Sequence, residues 1–177
     1  CKIIEERDSL LVMTTQKLGG RTGVDVRTLS EVKAINRDKK TVSVHDLNTG
    51  DTYEENYDKL ILSTGSSPIR PPIPGANDMD VMQLWTIPDM DRIVSRIGNG
   101  ARKAVVIGGG FIGLEVAENL VERGISVELV ELLDQVLPTL DKEMSQALAE
   151  ELANLGVGLH LGRKAVEIER FSEEHTV

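Results

Sequence analysis

The sequence predicts an α/β protein in two parts, an antiparallel three-stranded meander followed by a doubly wound parallel sheet, with both parts incomplete. Three observations carry this expectation. Short β-prone runs separated by turn residues fill the first third of the 177 residues; a stretch holding four of the six prolines follows; strand and helix patterns then alternate to the end.

The β-prone runs are residues 31–35, 41–47 and 51–57. In the second, Val42, Val44 and Leu47 interleave with polar residues, as in a strand with one buried face. Asn36-Arg37-Asp38-Lys39-Lys40 and then Asn48-Thr49-Gly50 supply the turn chemistry between the runs, so neighbouring strands are expected to pair antiparallel. Leu60-Ile61-Leu62 is a compact apolar run suited to a buried strand, and it ends in Ser63-Thr64-Gly65-Ser66. The prolines of residues 67–75 favour extended backbone and remove N–H donors, which makes this stretch the expected linker. The domains are therefore expected at 1–75 and 76–177.

Thr86-Ile87-Pro88-Asp89 matches a helix start. Thr86 is the cap, Pro88 sits in the first turn, and Asp89 is placed to reach back to the Thr86 amide. The helix is expected to run to about Ile97 and to break at Gly98-Asn99-Gly100. Residues 104–107 read as a buried strand. Ile112, Val116, Ala117, Leu120 and Val121 recur at helical spacing until Gly124 stops them, and residues 127–130 form the next strand. After Pro138, Met144, Leu148, Leu152 and Leu155 form one apolar stripe, ended by Gly156, and residues 157–161 make a third strand. This alternation implies a parallel sheet with right-handed crossovers.

Gly108-Gly109-Gly110-Phe111-Ile112-Gly113 fits G-x-G-x-x-G, a weak signal by itself in a chain with 16 glycines. Its context is informative. The run follows a strand and opens a helix, and Glu131 ends the next strand, 23 residues beyond Gly108. Gly108 allows the tight turn, Gly110 lets backbone approach a pyrophosphate, and Gly113 lets the helix lie close to the sheet. Free N–H groups and partial positive charge at the helix N-terminus favour phosphates, so the segment reads as a Rossmann-like NAD(H) site. The Glu131 carboxylate can accept hydrogen bonds from the adenosine ribose hydroxyls and repels a 2′-phosphate. With no Arg or Lys at 132–135, NADH is expected over NADPH. Glu115 lies in the first turn, where a negative side chain is favourable against the macrodipole with or without a ligand. Phe111 is equally compatible with packing on the sheet.

A net charge of −9 argues against nucleic acid or an anionic membrane as the partner. A single cysteine excludes an internal disulfide framework and a cysteine-built metal site. His45, His160 and His175 form no recognisable cluster, so no metal is expected. The N-terminus lacks a secretion pattern and no run is long and apolar enough to span a bilayer, which makes a cytoplasmic location the expectation.

At residues 104–115 and 127–131 the chain resembles the pyridine nucleotide-disulfide oxidoreductases. Within them it is most similar to the single-cysteine branch of coenzyme A disulfide reductases, NADH oxidases, NADH peroxidases and persulfide reductases. The apolar run into Thr64-Gly65, the segment Ile73-Pro74-Gly75, Leu137-Pro138, Asp141 and Met144 extend the likeness over nearly the whole chain. The resemblance implies that Gly108, Gly109, Gly110, Ile112, Gly113 and Glu131 hold NAD(H) and that Glu115 lies near the nicotinamide. Phe111 matches an aromatic that covers the flavin ring and swings away. Val32 would pair through its backbone with the flavin adenine, and Thr64 and Gly65 would line the FAD pocket. Ser63, where the family commonly has Ala, and Gly19-Gly20, where it has better helix formers, are departures.

The same resemblance predicts that the chain is a piece of a homodimeric flavoenzyme, 1–75 from its FAD domain and 76–177 from its NAD(H) domain. A first glycine motif for FAD and a C-terminal Gly-Asp motif are not in the sequence. The chain opens on Cys1, and residues 171–177 read as a turn into another strand. Such a piece is expected to hold little FAD and to turn over nothing alone. Cys1 is followed by Lys2-Ile3-Ile4-Glu5 rather than the branch's Gly-Leu-Pro, and is expected to be an ordinary residue. In the whole enzyme, hydride would pass from NADH to FAD and on to a low-molecular-weight disulfide, a persulfide, peroxide or oxygen. Two other readings are an NAD(H)-binding sensor or assembly module, and a ferredoxin- or rubredoxin-reductase relative that passes single electrons.

Overall fold

The structure, a computed structural model, describes residues 7–169. Cys1 and the strand entry expected at 171–177 lie outside the described residues. The chain divides into two compact units, Cys1–Ser66 and Ser67–Val177.

The first unit opens with a 3-10 turn (Arg7–Leu10) and helix α1 (Thr15–Thr22). The α1 helix tolerates the poor helix formers Gly19 and Gly20 because both ends are capped. Thr14 accepts from the Lys17 amide, and Gly23, at φ 71°, donates its N–H to the Gly19 carbonyl. Strands β1 (Ser30–Asn36), β2 (Thr41–Asp46) and β3 (Thr52–Asn56) form the expected antiparallel meander in the order β1-β2-β3. Its centre is β2, where Thr41, Val42 and Val44 are buried. The β1–β2 register slips between Val32 and Ala34, a β-bulge. One expectation is corrected here: Leu60-Ile61-Leu62 is irregular and exposed, Ile61 by 88%. A strand is held by hydrogen bonds to a neighbour, and no strand among the described residues pairs with this run.

In the second unit the proline-rich stretch is tied down by the Arg70 guanidinium, which donates to the Ala76 carbonyl, and by the Ile168 amide, which donates to the Pro74 carbonyl at 2.9 Å. Helix α2 (Ile87–Gly98) begins with the expected capping box. Thr86 accepts from the Asp89 amide while the Asp89 carboxylate accepts from the Thr86 amide. The Thr86 hydroxyl and amide hold the Asp89 carboxyl below its usual range. Then follow β4 (Lys103–Ile107), α3 (Phe111–Glu122), β5 (Ser126–Val130), α4 (Lys142–Asn154) and β6 (Gly158–His160). The strands are parallel in the order β4-β5-β6, the winding of one half of a doubly wound sheet.

One face of this sheet carries the core. Val127 and Leu129 of β5, in register with Ala104 and Val106 of β4, pack with Ala117 and Leu120 of α3, Leu152 of α4, and Ile125, Val136 and Val157. The expectation that β4 is buried is corrected. Val105 and Ile107, on the opposite face of this edge strand, are 64% and 48% exposed, because no described helix covers that side. The apolar stripe of α4 is also shifted. Met144 and Leu155 are exposed, and the inward positions are Ser145, Leu148, Ala149 and Leu152. With 100° between successive helical residues, a one-residue error in the stripe turns its edge to solvent. Ser145 is tolerated inside because its hydroxyl donates to the Val136 carbonyl at 2.5 Å.

Candidate functional site

The C-terminal ends of β4 and β5 meet the N-terminus of α3, the usual place for a ligand in an open parallel sheet. Gly108 leaves β4 at φ 109°, in the left-handed region. Gly113 lies so close beneath it that a Cβ at residue 113 would stand 1.9 Å from the Gly108 carbonyl oxygen. Helix and strand can approach this far only without that methyl group. Gly110 is the N-cap of α3 and provides no side-chain cap, and a Cβ there would meet nothing within 4 Å. The helix N-terminus thus opens onto free space of the kind a pyrophosphate requires.

Glu131 follows β5 and turns its carboxylate back into the glycine loop. One oxygen accepts the Gly109 amide at 2.6 Å and the other accepts the Leu133 amide at 2.8 Å. Gly109 is buried, and a Cβ on it would press on the Glu131 side chain at 3.2 Å. The sequence pattern suggests only a ribose partner at Glu131, but the carboxylate also clamps both loops. Each oxygen keeps lone-pair capacity for a hydroxyl donor. The Gly109 carbonyl in turn accepts the Leu137 amide at 2.9 Å, and Leu137 takes a φ of 42°. Phe111 is 66% exposed and Ile112 56%, so neither is a core residue of this unit; Glu115 is exposed on the next turn. Leu132 and Leu133, exposed beside Glu131, add apolar surface that the motif did not mark.

The turn after β6 is laced to the one after β5. The Gly162 amide donates to the Leu133 carbonyl at 2.7 Å, and the Arg163 amide donates to the Glu131 carbonyl at 2.9 Å. Arg163 and Lys164 are exposed there. No local signal marks them, since their nearness to Glu131 comes from strand order.

Val32, Thr64 and Gly65 belong to the first unit. Val32 is half exposed on β1, an edge strand of the meander whose outer backbone edge is not used by β2. Thr64 and Gly65 are exposed in the irregular segment beyond β3, Gly65 at φ 70°. His45 meets Thr52 and His160 meets Glu128, at 3.3 and 2.6 Å. Among the described residues no three ligating side chains group for a metal, and no helix is long and apolar enough to cross a membrane.

A glycine turn between a parallel strand and an uncapped helix, beside a second strand ending in a carboxylate, is the architecture of the Rossmann-like nucleotide-binding proteins. Residues 3–177 match the family described as pyridine nucleotide-disulphide oxidoreductase, and the chain belongs to it. It is 41% identical over 141 residues to an NADH oxidase of Enterococcus faecalis, covering 79% of this chain and 31% of that protein. To a coenzyme A disulfide reductase of Staphylococcus aureus it is 37% identical over 157 residues, covering 85% and 34%. Reduced CoADR-RHD of Bacillus anthracis superposes with a TM-score of 0.89 at 44% identity, over 94% of this chain and 30% of that one. The NADH-bound water-forming NADH oxidase of Lactobacillus brevis gives 0.85 at 30% identity, over 93% and 36%. Its engineered five-substitution form, an NADPH oxidase bound to NADPH, gives 0.83 at 29% identity, over 91% and 36%. The chain spans about a third of the length of the curated relatives it matches.

Proposed function

We propose that this chain is the NADH-binding part of a flavin-dependent oxidoreductase that reduces a low-molecular-weight disulfide, a persulfide, peroxide or oxygen. Residues 1–75 would belong to its FAD domain and 76–177 to its NAD(H) domain, in a cytoplasmic homodimer. The observation that carries the reading is the open N-terminus of α3 at Gly110, with the Glu131 carboxylate fixed beside it by the Gly109 and Leu133 amides.

In this reading the first-turn amides of α3 receive the pyrophosphate, and Glu131 accepts from the ribose diol of the adenosine half. Glu115 lies one turn further, toward the nicotinamide. Phe111 stands at the mouth of the helix as a movable cover. FAD, when bound, supplies the hydride acceptor and passes electrons on. The exposed backbone edge at Val32, with Thr64 and Gly65, would border it.

The choice of NADH is supported by a spacing. Gly113, Glu131, Leu132, Leu133 and Pro138 stand at the same mutual intervals as the five positions substituted in the engineered NADPH oxidase, which begin with a glycine, include an acid and end on a proline. In that protein the glycine became Ala. Glu131→Arg should therefore raise NADPH affinity relative to NADH on the order of tenfold to a hundredfold, because a repelling carboxylate becomes a phosphate-binding fork. Both affinities should fall in absolute terms, since the Gly109 and Leu133 amides lose their acceptor. Calorimetric titration with both cofactors checks this, and an unchanged ratio would refute the role of Glu131.

Phe111→Ala tests the cover. A side chain this exposed should contribute less than ~1 kcal/mol to stability, against ~3–5 for a buried Phe. The melting temperature and NADH affinity should stay nearly constant, while oxygen-dependent NADH consumption by the FAD-loaded protein rises. A destabilised variant with no added oxidase activity would mean that Phe111 packs rather than gates.

A further inference from the structure

We propose that Arg163 is a second cofactor-determining residue, a guanidinium that binds the 2′-phosphate of NADP(H) beside Glu131 and so narrows the preference for NADH. The proposal rests on the reading that Glu131 faces the adenosine ribose.

From residues 132–135 alone, the ribose end of the site is acidic, because no base follows Glu131 in the chain. The tertiary structure changes this charge balance. Strand β6 runs parallel to β5, and three backbone hydrogen bonds join their exits. The Glu131 amide donates to the His160 carbonyl at 3.0 Å, the Gly162 amide to the Leu133 carbonyl at 2.7 Å, and the Arg163 amide to the Glu131 carbonyl at 2.9 Å. Gly162, at φ 64°, makes the turn that brings the chain back along Glu131. Arg163 is thereby held one hydrogen bond from the backbone of the specificity carboxylate, with its side chain exposed and Lys164 next to it.

The state of Glu131 points the same way. Its two oxygens accept the Gly109 and Leu133 amides, so the carboxylate is fixed at the rim, and a 2′-phosphate placed there needs a nearby cation to offset the repulsion. A ribose diol needs acceptors and a 2′-phosphate needs donors, and this rim offers both. Arg suits the second task, because its planar fork binds phosphate through two N–H groups, whereas Lys164 offers a point charge.

Calorimetric titration of this chain with NAD+ and NADP+, repeated with 5′-ADP and 2′,5′-ADP to remove the nicotinamide, tests the proposal. The unsubstituted chain should bind NADP+ measurably, though less tightly than NAD+. Arg163→Ala should weaken NADP+ and 2′,5′-ADP by at least about tenfold while leaving NAD+ and 5′-ADP within about twofold, the pattern of a charge-assisted phosphate contact. Arg163→Lys should recover part of the loss, and Lys164→Ala should cost less than Arg163→Ala. Equal losses for both nucleotides in Arg163→Ala would make the residue a support of the turn and overturn the proposal. So would NAD+ binding with no detectable NADP+ binding, which leaves the NADH reading intact. Failure of all four nucleotides to bind would instead sink the glycine-loop site, and the Arg163 proposal with it.

Discussion

Gly113→Val is expected to remove nucleotide binding and to cost the second unit about 3 kcal/mol or more of stability, the upper end of the range for overpacking. A Cβ at this position would lie 1.9 Å from the Gly108 carbonyl oxygen, 3.1 Å from its carbon and 3.5 Å from a Val106 methyl. The nearest of these atoms are backbone, in a turn fixed by the φ of 109° at Gly108. They cannot rotate away as a side chain would. Relief requires either that α3 lift from β4 or that the turn open, and both displace the helix N-terminus proposed to receive the pyrophosphate. A single methyl can be met by a small shift, whereas the branched side chain of Val adds two more carbons in the same crowded space. Thermal unfolding and NADH titration of the same variant check the expectation. A variant that melts like the parent and binds NADH normally would show that the close approach at Gly113 does not position the loop.

Leu129→Ala is expected to cost ~3–5 kcal/mol, the transfer term plus the cavity left by a side chain whose surroundings cannot collapse onto it. Leu129 is fully buried on the central strand β5, in register with Val106 on one side and Leu159 on the other. Two residues further on, the same strand delivers Glu131 to the site, so melting β5 also releases the carboxylate clamp. Val105→Ala is the matched control. Val105 is on β4 but on the uncovered face, 64% exposed, and should cost less than ~1 kcal/mol. Chemical denaturation of both variants separates them, and similar losses would contradict the one-sided core.

Local sequence signals specify local structure where the determining residues lie a few positions apart. Thr86, Pro88 and Asp89 build their capping box from within a single turn. The 36–40 and 48–50 turns separate the meander strands at the expected places. Gly108, Gly110 and Gly113 occupy a turn, an open helix N-terminus and a contact that excludes a Cβ. The departures from the local pattern share one cause. Leu60-Ile61-Leu62 has the composition of a strand but lacks a described partner, and composition cannot supply one. Met144 and Leu155 fit an apolar periodicity, yet the packing of α4 selects the stripe through Ser145, whose hydroxyl is satisfied by the Val136 carbonyl.

The sequence by itself determined the α/β class, the meander, the glycine-rich βα turn and the acid that follows β5, because each follows from backbone preference or periodicity within a short stretch of chain. Tertiary structure alone decided that Val105 and Ile107 face outward, that the Glu131 carboxylate braces Gly109 and Leu133, and that Arg163 lies beside Glu131. These depend on which strand lies next to which and on which face a helix covers. The bonds from the Gly109 and Arg163 amides to Glu131 join residues far apart in the chain, and no local pattern records a partner that becomes a neighbour only when the sheet has formed.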